Sequence, residues 1–541
     1  MHQVSGHVAI VLHAHLPYVR HPEREECLEE LWLMEAITET YIPLIEMLQG
    51  LLRDGVDFRL SMSITPTLAS MLADEFLQRR YSRHIDRLQE LASKEVERTR
   101  WQPRLQTVAL MYLSQFQKAQ RLFDKYHHRL LDAFARIAQT GKLEILASAA
   151  THGYLPLLYL NPKAVEAQIA VGVATYRHHF GKNPQGFWLP ECGFAPGIDG
   201  ILAKYGLRYF LTDSHGVLHG EPRPHTSVYA PVHTPAAVAA FGRDWESSKQ
   251  VWSATEGYPG DYYYRDFYRD IGFDLDYDYI RPYLVDGIRG CTGIKYHRIT
   301  GSAGHKDTYD PRVAQERAAE HAGNFMFNRE QQIRHFAPHM ERPPLIVAPY
   351  DAELFGHWWY EGPQWLDYLF RKSAYDQKVF TMITPSEYLG RYPSGQVSMP
   401  SESSWGNGGY HEVWLDDSNA WIYRHLHKAA QRMVDMANRY TDATDILQRA
   451  LNQAARELLL AQASDWAFIM KTGTMMEYAR RRTEEHLLSF TELYSQITEN
   501  RIDEACLQSL EYRNNIFPQI DFRIYTDDIY ADDMQHKAFP M

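Results

Sequence analysis

Seven short apolar runs, with helical patterns between most of them, constrain this chain more than any other feature. They lie at residues 7–12 (HVAIVL), 58–64 (FRLSMSI), 143–148 (LEILAS), 186–189 (GFWL), 207–212 (LRYFLT), 345–348 (LIVA) and 379–383 (VFTMI). Strands that are apolar throughout are buried on both faces, as in parallel sheets. Residues 28–51 and 163–180 carry helical periodicity between them. Such alternation predicts an α/β fold, either a parallel barrel or a doubly wound sheet. Residues 73–140 are too long for one crossover and read as two or more helices. Residues 220–335, rich in Tyr, Asp and Gly, read as an insertion, and helical patterns fill residues 410–515. The acidic stretch TDDIYADDMQ near the end is expected to be loosely held.

In a parallel barrel the chemistry gathers at the C-terminal ends of the strands. The residues that follow the apolar runs are therefore informative. They include His13 and His15, His152, Glu191, Asp213, and then Asp351 with Glu353 and His357. Glu191 ends FWLPE and Asp351 ends LIVAPYD. Two carboxylates on one rim suit glycosidic bond chemistry, one as nucleophile or base and the other as acid. Either one alone would equally serve to cap a following helix. His13 and His15 form an HxH pair on one side of a strand, a metal-ligand spacing that with His152 and Asp351 would suit a metal-dependent hydrolase. A lone histidine is more simply a hydrogen-bonded core residue.

Composition narrows the ligand. The net charge of −12 disfavours a nucleic-acid partner, because phosphate contacts need clustered Lys and Arg. Aromatics make up 13 % of the chain, and Trp and Tyr rings suit the flat C–H faces of sugars. Trp405, in the Gly-rich SSWGNGGYHEVW, is a candidate ligand-facing ring, and Trp252 is read into a loop. Trp32 sits in a helical pattern where core packing is the default. Four widely spaced cysteines suggest neither a disulfide framework nor a zinc ribbon. No apolar run is long enough to span a membrane, and MHQVSGHVAIVLHAH lacks the basic start of a signal peptide, so a cytoplasmic protein with no membrane partner is expected. No phosphate-binding glycine loop follows a strand, and no cofactor is expected.

The segments HAHLPYV, ATHGYLPLL, WLPECGF, YDAELFGHWWYEGP and SDWAF, in that order, resemble the five motifs of glycoside hydrolase family 57. The 405–414 segment and the closing NNIFPQIDFRIY resemble the α-1,4-glucan branching enzymes of that family. The resemblance implies a (β/α)7 barrel over residues 1–400, with a helical insertion at 73–112 and a loop-rich insertion at 220–335 on the active-site rim. It also implies a C-terminal all-helical domain over 401–541 that completes the cleft. Residue by residue, it makes Glu191 the nucleophile and Asp351 the general acid/base. His13, His15 and His152 would line the donor site, and Trp405, Asp465 and Trp466 would reach the cleft from the C-terminal domain. Trp32, Trp414 and Arg265 would contact the glucan. No metal is implied. The partners would be an α-glucan donor and an α-glucan acceptor, such as amylose or a glycogen-like polymer. Transfer to a glucan 6-hydroxyl would make an α-1,6 branch. Transfer to a 4-hydroxyl would be disproportionation, and transfer to water would be amylase activity.

Overall fold

The computed structural model describes residues 4–253, 256–301 and 306–527, so most of the acidic C-terminal stretch lies outside the described residues. The chain divides into two compact units. The first comprises Met1–Met62, Met71–Ile145 and Arg243–Pro393, and the second Ser63–Ser70, Leu146–Gly242 and Ser394–Met541. The division falls inside two strands, β2 (Leu60–Ile64) and β3 (Leu143–Ser148).

In the first unit β1 (Gly6–Ala14) is buried at every position, as its unbroken apolar run requires. It pairs in parallel with a later strand, Leu345–Asp351, in a register that places His13 opposite Asp351. It also pairs in parallel with Phe380–Met382. Helices Glu75–Arg98 and Pro103–Lys125 form an antiparallel-looking pair in sequence order, and they pack on each other. Asp74 starts the first by accepting from the Leu77 N–H at 2.9 Å. The 26-residue helix Pro311–Phe336 begins with the same device, Asp310 at the cap and proline in the first turn.

In the second unit β3, β4 (Gly186–Trp188) and β5 (Tyr209–Thr212) are neighbours in parallel. Two further strands, β6 (Val232–His233) and β7 (Ala239–Gly242), extend this set. β7 runs parallel to β5, and β6 is antiparallel to β7. All seven apolar runs therefore form strands, the last two being β8 (Leu345–Asp351) and β9 (Phe380–Met382). β7 was not anticipated. Its sequence, AAFG, is too short and too poor in β-branched residues to signal a strand. Within residues 220–335 there are thus two strands and most of a long helix as well as irregular chain. The stretch expected as a loop around Trp252 holds a helix, Trp245–Trp252, capped by Asp244. Helices dominate the C-terminal part: Trp421–Arg439, Asp445–Ala461, Ser464–Thr472, Met476–Thr498 and Glu504–Arg513. Between them Glu457 is fully buried, accepting from Asn514 and Gln453 at 2.8 Å and paired with His486 at 2.7 Å. Among the described residues no helix is long and apolar enough to cross a membrane.

One glycine sets how closely the helix Pro162–Phe180 lies on β3. A Cβ at Gly172 would stand 2.0 Å from the Ser148 carbonyl oxygen, a backbone atom that cannot move aside cheaply. Gly172→Ala should therefore cost about 1–3 kcal/mol. Gly200→Ala, in the helix Ile198–Lys204 with open space around the new Cβ, should instead gain about 0.5–1 kcal/mol from helix propensity. Thermal unfolding of the two variants beside the parent should show midpoints moving in opposite directions.

Candidate active site

Glu191 belongs to the second unit, three residues beyond β4. Trp188 and Leu189 are fully buried, so the chain emerges from the core just before the carboxylate. A tight turn, Pro190–Cys192, then presents it. Glu191 and Cys192 have φ of 59° and 51°, a left-handed backbone that non-glycine residues rarely adopt. Glu191 does not cap the next helix, which starts after Gly197. Its carboxylate is gripped at both oxygens. The Trp405 indole N–H donates to Oε2 at 2.8 Å, and the Ser464 hydroxyl donates to Oε1 at 3.1 Å. The Trp405 peptide N–H also donates to the Glu191 carbonyl at 3.0 Å. Hydrogen bonds to the ionised form favour that form.

Around this carboxylate the second unit gathers several expected residues. His152, with φ 57°, is buried and lies 2.9 Å from the Ser464 hydroxyl through Nδ1. A side-chain oxygen of Asp465 lies within 4.8 Å of a His152 ring nitrogen. Trp405 meets Trp188 edge to face, with centroids 5.1 Å apart. Trp414 is buried and stacks on Tyr154 at 4.4 Å. Tyr154 O–H and His411 Nδ1 are 2.8 Å apart, and His411 Nε2 is 2.8 Å from Glu402. Burial by its neighbours pushes the Tyr154 phenol above its ordinary range. Trp466 is also buried, its indole donating to the Leu460 carbonyl at 2.8 Å. Asp213 serves as a helix cap, accepting from the Ser214 N–H at 2.6 Å.

Asp351 belongs to the first unit, at the end of β8. It occupies the cap position of the short turn Ala352–Leu354, yet its side chain makes no capping bond. The capping explanation thus fails for both carboxylates. Beside it on β1, His13 stacks on His15 with centroids 5.7 Å apart. Burial and the neighbouring His15 hold His13 well below the ordinary imidazole range, so its ring is neutral. Glu353 accepts from the His15 N–H at 3.2 Å and from the Tyr41 hydroxyl at 2.5 Å. Tyr41 closes a π-helical turn, Ile37–Tyr41, a geometry frequent at functional sites. Trp32, half-buried, sits in the preceding helix Leu31–Ala36. The same π-turn presents Glu39, which bonds His357 Nδ1 at 2.8 Å. Burial alone would raise Glu39, but the His357 bond and the charges of His357, Lys295 and Arg265 outweigh it and hold the carboxyl at about 2. Burial pushes nearby Glu35 up to about 7. Arg265 is only 4 % exposed. Its guanidinium lies over the Tyr360 ring at 4.2 Å and donates to Tyr112 and to the His357 carbonyl.

Ser464, Tyr154, Tyr41 and Glu39 were not singled out from sequence as site residues, though Ser464 opens SDWAF, and Glu353 was noted only as one of the titratable residues after Asp351. Burial raises the Glu353 carboxyl above its ordinary value, and the Tyr41 donor works against that rise. A carboxyl raised in the folded state adds stability at low pH that is lost as pH climbs through the folded value. Tyr41→Phe removes the opposing donor. Its penalty should be about 1–3 kcal/mol near pH 8. The penalty should shrink toward about pH 3, where the carboxyl is protonated folded and unfolded alike. Unfolding midpoints across that range decide it, and a pH-independent penalty would contradict the assignment.

The glycosyl hydrolase family 57 model matches residues 9–400, and the 1,4-alpha-glucan branching enzyme C-terminal model matches residues 425–525. A 1,4-alpha-glucan branching enzyme of Thermococcus kodakarensis is 34% identical over 553 residues, covering 95% of this chain and 78% of that one. The crystal structure of the alpha-amylase AmyC from Thermotoga maritima is similar at 47% identity and a TM-score of 0.91, covering 97% of this chain and 99% of that one. A GH57-type branching enzyme from Pyrococcus horikoshii is similar at 33% identity and a TM-score of 0.87, with 97% of each chain covered. With its barrel-type alternation of strands and helices, its helical C-terminal domain and its Glu191 and Asp351 strand ends, the chain belongs to glycoside hydrolase family 57.

Proposed function

We propose that this protein is a 1,4-α-glucan branching enzyme that works by retaining double displacement. The observation that carries the chemistry is the Glu191 carboxylate, fixed at both oxygens by Trp405 and Ser464. Such donors keep it ionised and aimed, as a nucleophile requires. Glu191 attacks the anomeric carbon of an α-1,4-linked donor. The C1–O4 bond breaks, its electron pair leaves with the oxygen, and protonated Asp351 supplies the proton to that oxygen. In the second step the 6-hydroxyl of an acceptor glucan attacks C1. Asp351 takes its proton, and the C1–Oε bond returns its electrons to Glu191. The result is an α-1,6 branch. His13, His15, His152 and Asp465 would bind donor hydroxyls, and Trp32 and Trp414 would border the glucan path. Arg265 would act by holding the 353–361 segment as well as by contact. The match of residues 425–525 to the branching-enzyme C-terminal model supports branching in particular.

A second reading, α-amylase, is favoured by one observation, the 47% identity to the Thermotoga maritima protein. Proton NMR of amylose before and after incubation separates the two, read beside a reducing-end assay. Branching gives new α-1,6 anomeric signal with few new reducing ends. Reducing ends without α-1,6 signal would mean that water is the acceptor. The nucleophile has its own test. Glu191→Gln should lower the rate on the order of 10⁴-fold or more with the fold intact. Glu191→Ala supplied with azide should release the β-glycosyl azide, formed by direct attack on the opposite face.

A further inference from the structure

The hydroxyl of Ser464 has one proton and two polar neighbours in the second unit. Oγ lies 3.1 Å from Glu191 Oε1 and 2.9 Å from His152 Nδ1. An ionised carboxylate can only accept, so the serine proton points at Oε1. The His152 contact must then run the other way, with Nδ1–H donating to Oγ. The reverse assignment would leave two acceptors facing each other at 3.1 Å. His152 Nδ1 is itself 3.7 Å from Oε1, beyond hydrogen-bond range, so its bond toward this oxygen passes through the serine. The chain therefore has one direction: His152 Nδ1–H to Ser464 Oγ–H to Glu191 Oε1.

The serine is also held rigidly. It is 2 % exposed and is the first residue of the helix Ser464–Thr472. Its N–H donates to the His152 carbonyl at 3.1 Å, and Gly153 bridges Ala463. Behind it, Gln168 donates to Gln462 at 3.1 Å, and Thr151 donates to the Leu459 carbonyl. These bonds fix the backbone that carries the hydroxyl, and the contacts to Glu191 and His152 orient the hydroxyl itself.

A donor fixed on a carboxylate does not treat the two halves of a double displacement alike. Its bond to the charged carboxylate is about twice as strong as a bond to a neutral acyl oxygen. It therefore disfavours the glycosyl ester and favours the state in which the carboxylate has been released. We infer that Ser464 is a positioning residue that sets the lifetime of the glycosyl–Glu191 ester, driving it toward transfer through the proton order imposed by His152. This rests on Glu191 being the nucleophile.

Ser464→Ala removes the donor and leaves the ester relatively more stable. Turnover on amylose should fall about 10- to 100-fold, the worth of one hydrogen bond to a charged group. KM should fall with kcat, because the second step becomes limiting and the ester accumulates. Acid quench, digestion and mass spectrometry should find the Glu191 peptide carrying glucosyl units in this variant far more than in the parent. Ser464→Thr, which keeps the hydroxyl, should restore kcat and abolish the accumulation. Where Ser464→Ala does not fold, Ser464→Cys, near-isosteric with a weak donor, should show the same effects at smaller size. Unchanged kcat, or a lower kcat without ester accumulation, overturns the inference. The double variant gives a separate control. In the Glu191→Ala background with azide, adding Ser464→Ala should change the rate less than about twofold, since the serine acts through Glu191. Azide rescue with a large further loss overturns the role of Ser464 alone. Absence of azide rescue overturns the nucleophile assignment and this inference with it.

Discussion

A carboxylate gripped by two donors at the edge of an apolar core organises the second unit around it. Burial works against charge, so an ionised Glu191 needs donors that water no longer supplies. The chain supplies two, from Trp405 and Ser464, residues distant in sequence. Each is held in turn. Trp405 is anchored by its own peptide N–H to the Glu191 carbonyl and by the face of Trp188. Ser464 is anchored through the backbone of His152. Left-handed backbone at Glu191 and His152 belongs to the same requirement. It turns each side chain out of the strand direction, and the surrounding bonds keep it there.

The first unit meets a related problem differently. The segment that follows Asp351 rests on buried charge as well as on buried aromatic rings. Glu39 bonds His357, and the charges of His357, Lys295 and Arg265 together hold its carboxyl low against the effect of burial. A buried ionic group adds little stability over an apolar one, but removing one partner is costly. Such a cluster therefore tolerates few arrangements of the segment that follows Asp351. The close approach of Gly356 reinforces this. A Cβ there would stand 1.8 Å from the Glu39 carbonyl oxygen, and its φ of 112° suits glycine. The π-turn at Ile37–Tyr41 brings both Glu39 and Tyr41 to this segment.

Much of this was legible in sequence because burial on both faces writes a strong local signal. All seven apolar runs became strands, and their ends delivered Glu191, Asp351 and the histidines. β7 escaped because three small residues and a phenylalanine have no periodicity to read. The helix Trp245–Trp252 escaped because its cap, Asp244, lies in a stretch rich in other polar residues. Trp414 and Trp466 look alike on the page, as indoles in polar segments, yet both are buried, and stacking on Tyr154 is what encloses the first. Ser464 left no mark beyond its place in SDWAF, because its role depends on a proton direction set by residues about 270 and 310 positions away. Contacts of that kind have no local period.

The similarities to an α-amylase at 47% identity and to a branching enzyme at 33% raise a question of scale. In the mechanism proposed above, branching and hydrolysis share every bond made and broken at Glu191 until the ester is opened. They differ in which hydroxyl opens it, and a hundredfold preference is only about 2.7 kcal/mol. One or two rings stacked on an acceptor glucan supply that much. Whole-chain identity counts every position equally, and most positions lie away from the few side chains that would meet an acceptor. A higher identity to an amylase is therefore compatible with a branching enzyme, and the choice rests with a few exposed side chains. Half-buried Trp405 and exposed Trp358, stacked on Phe267 at 4.4 Å, have the surface and the rigidity for that task. The surroundings of Glu191 are built deep and tied at many points, whereas the rings proposed to select the acceptor are few and more open to solvent.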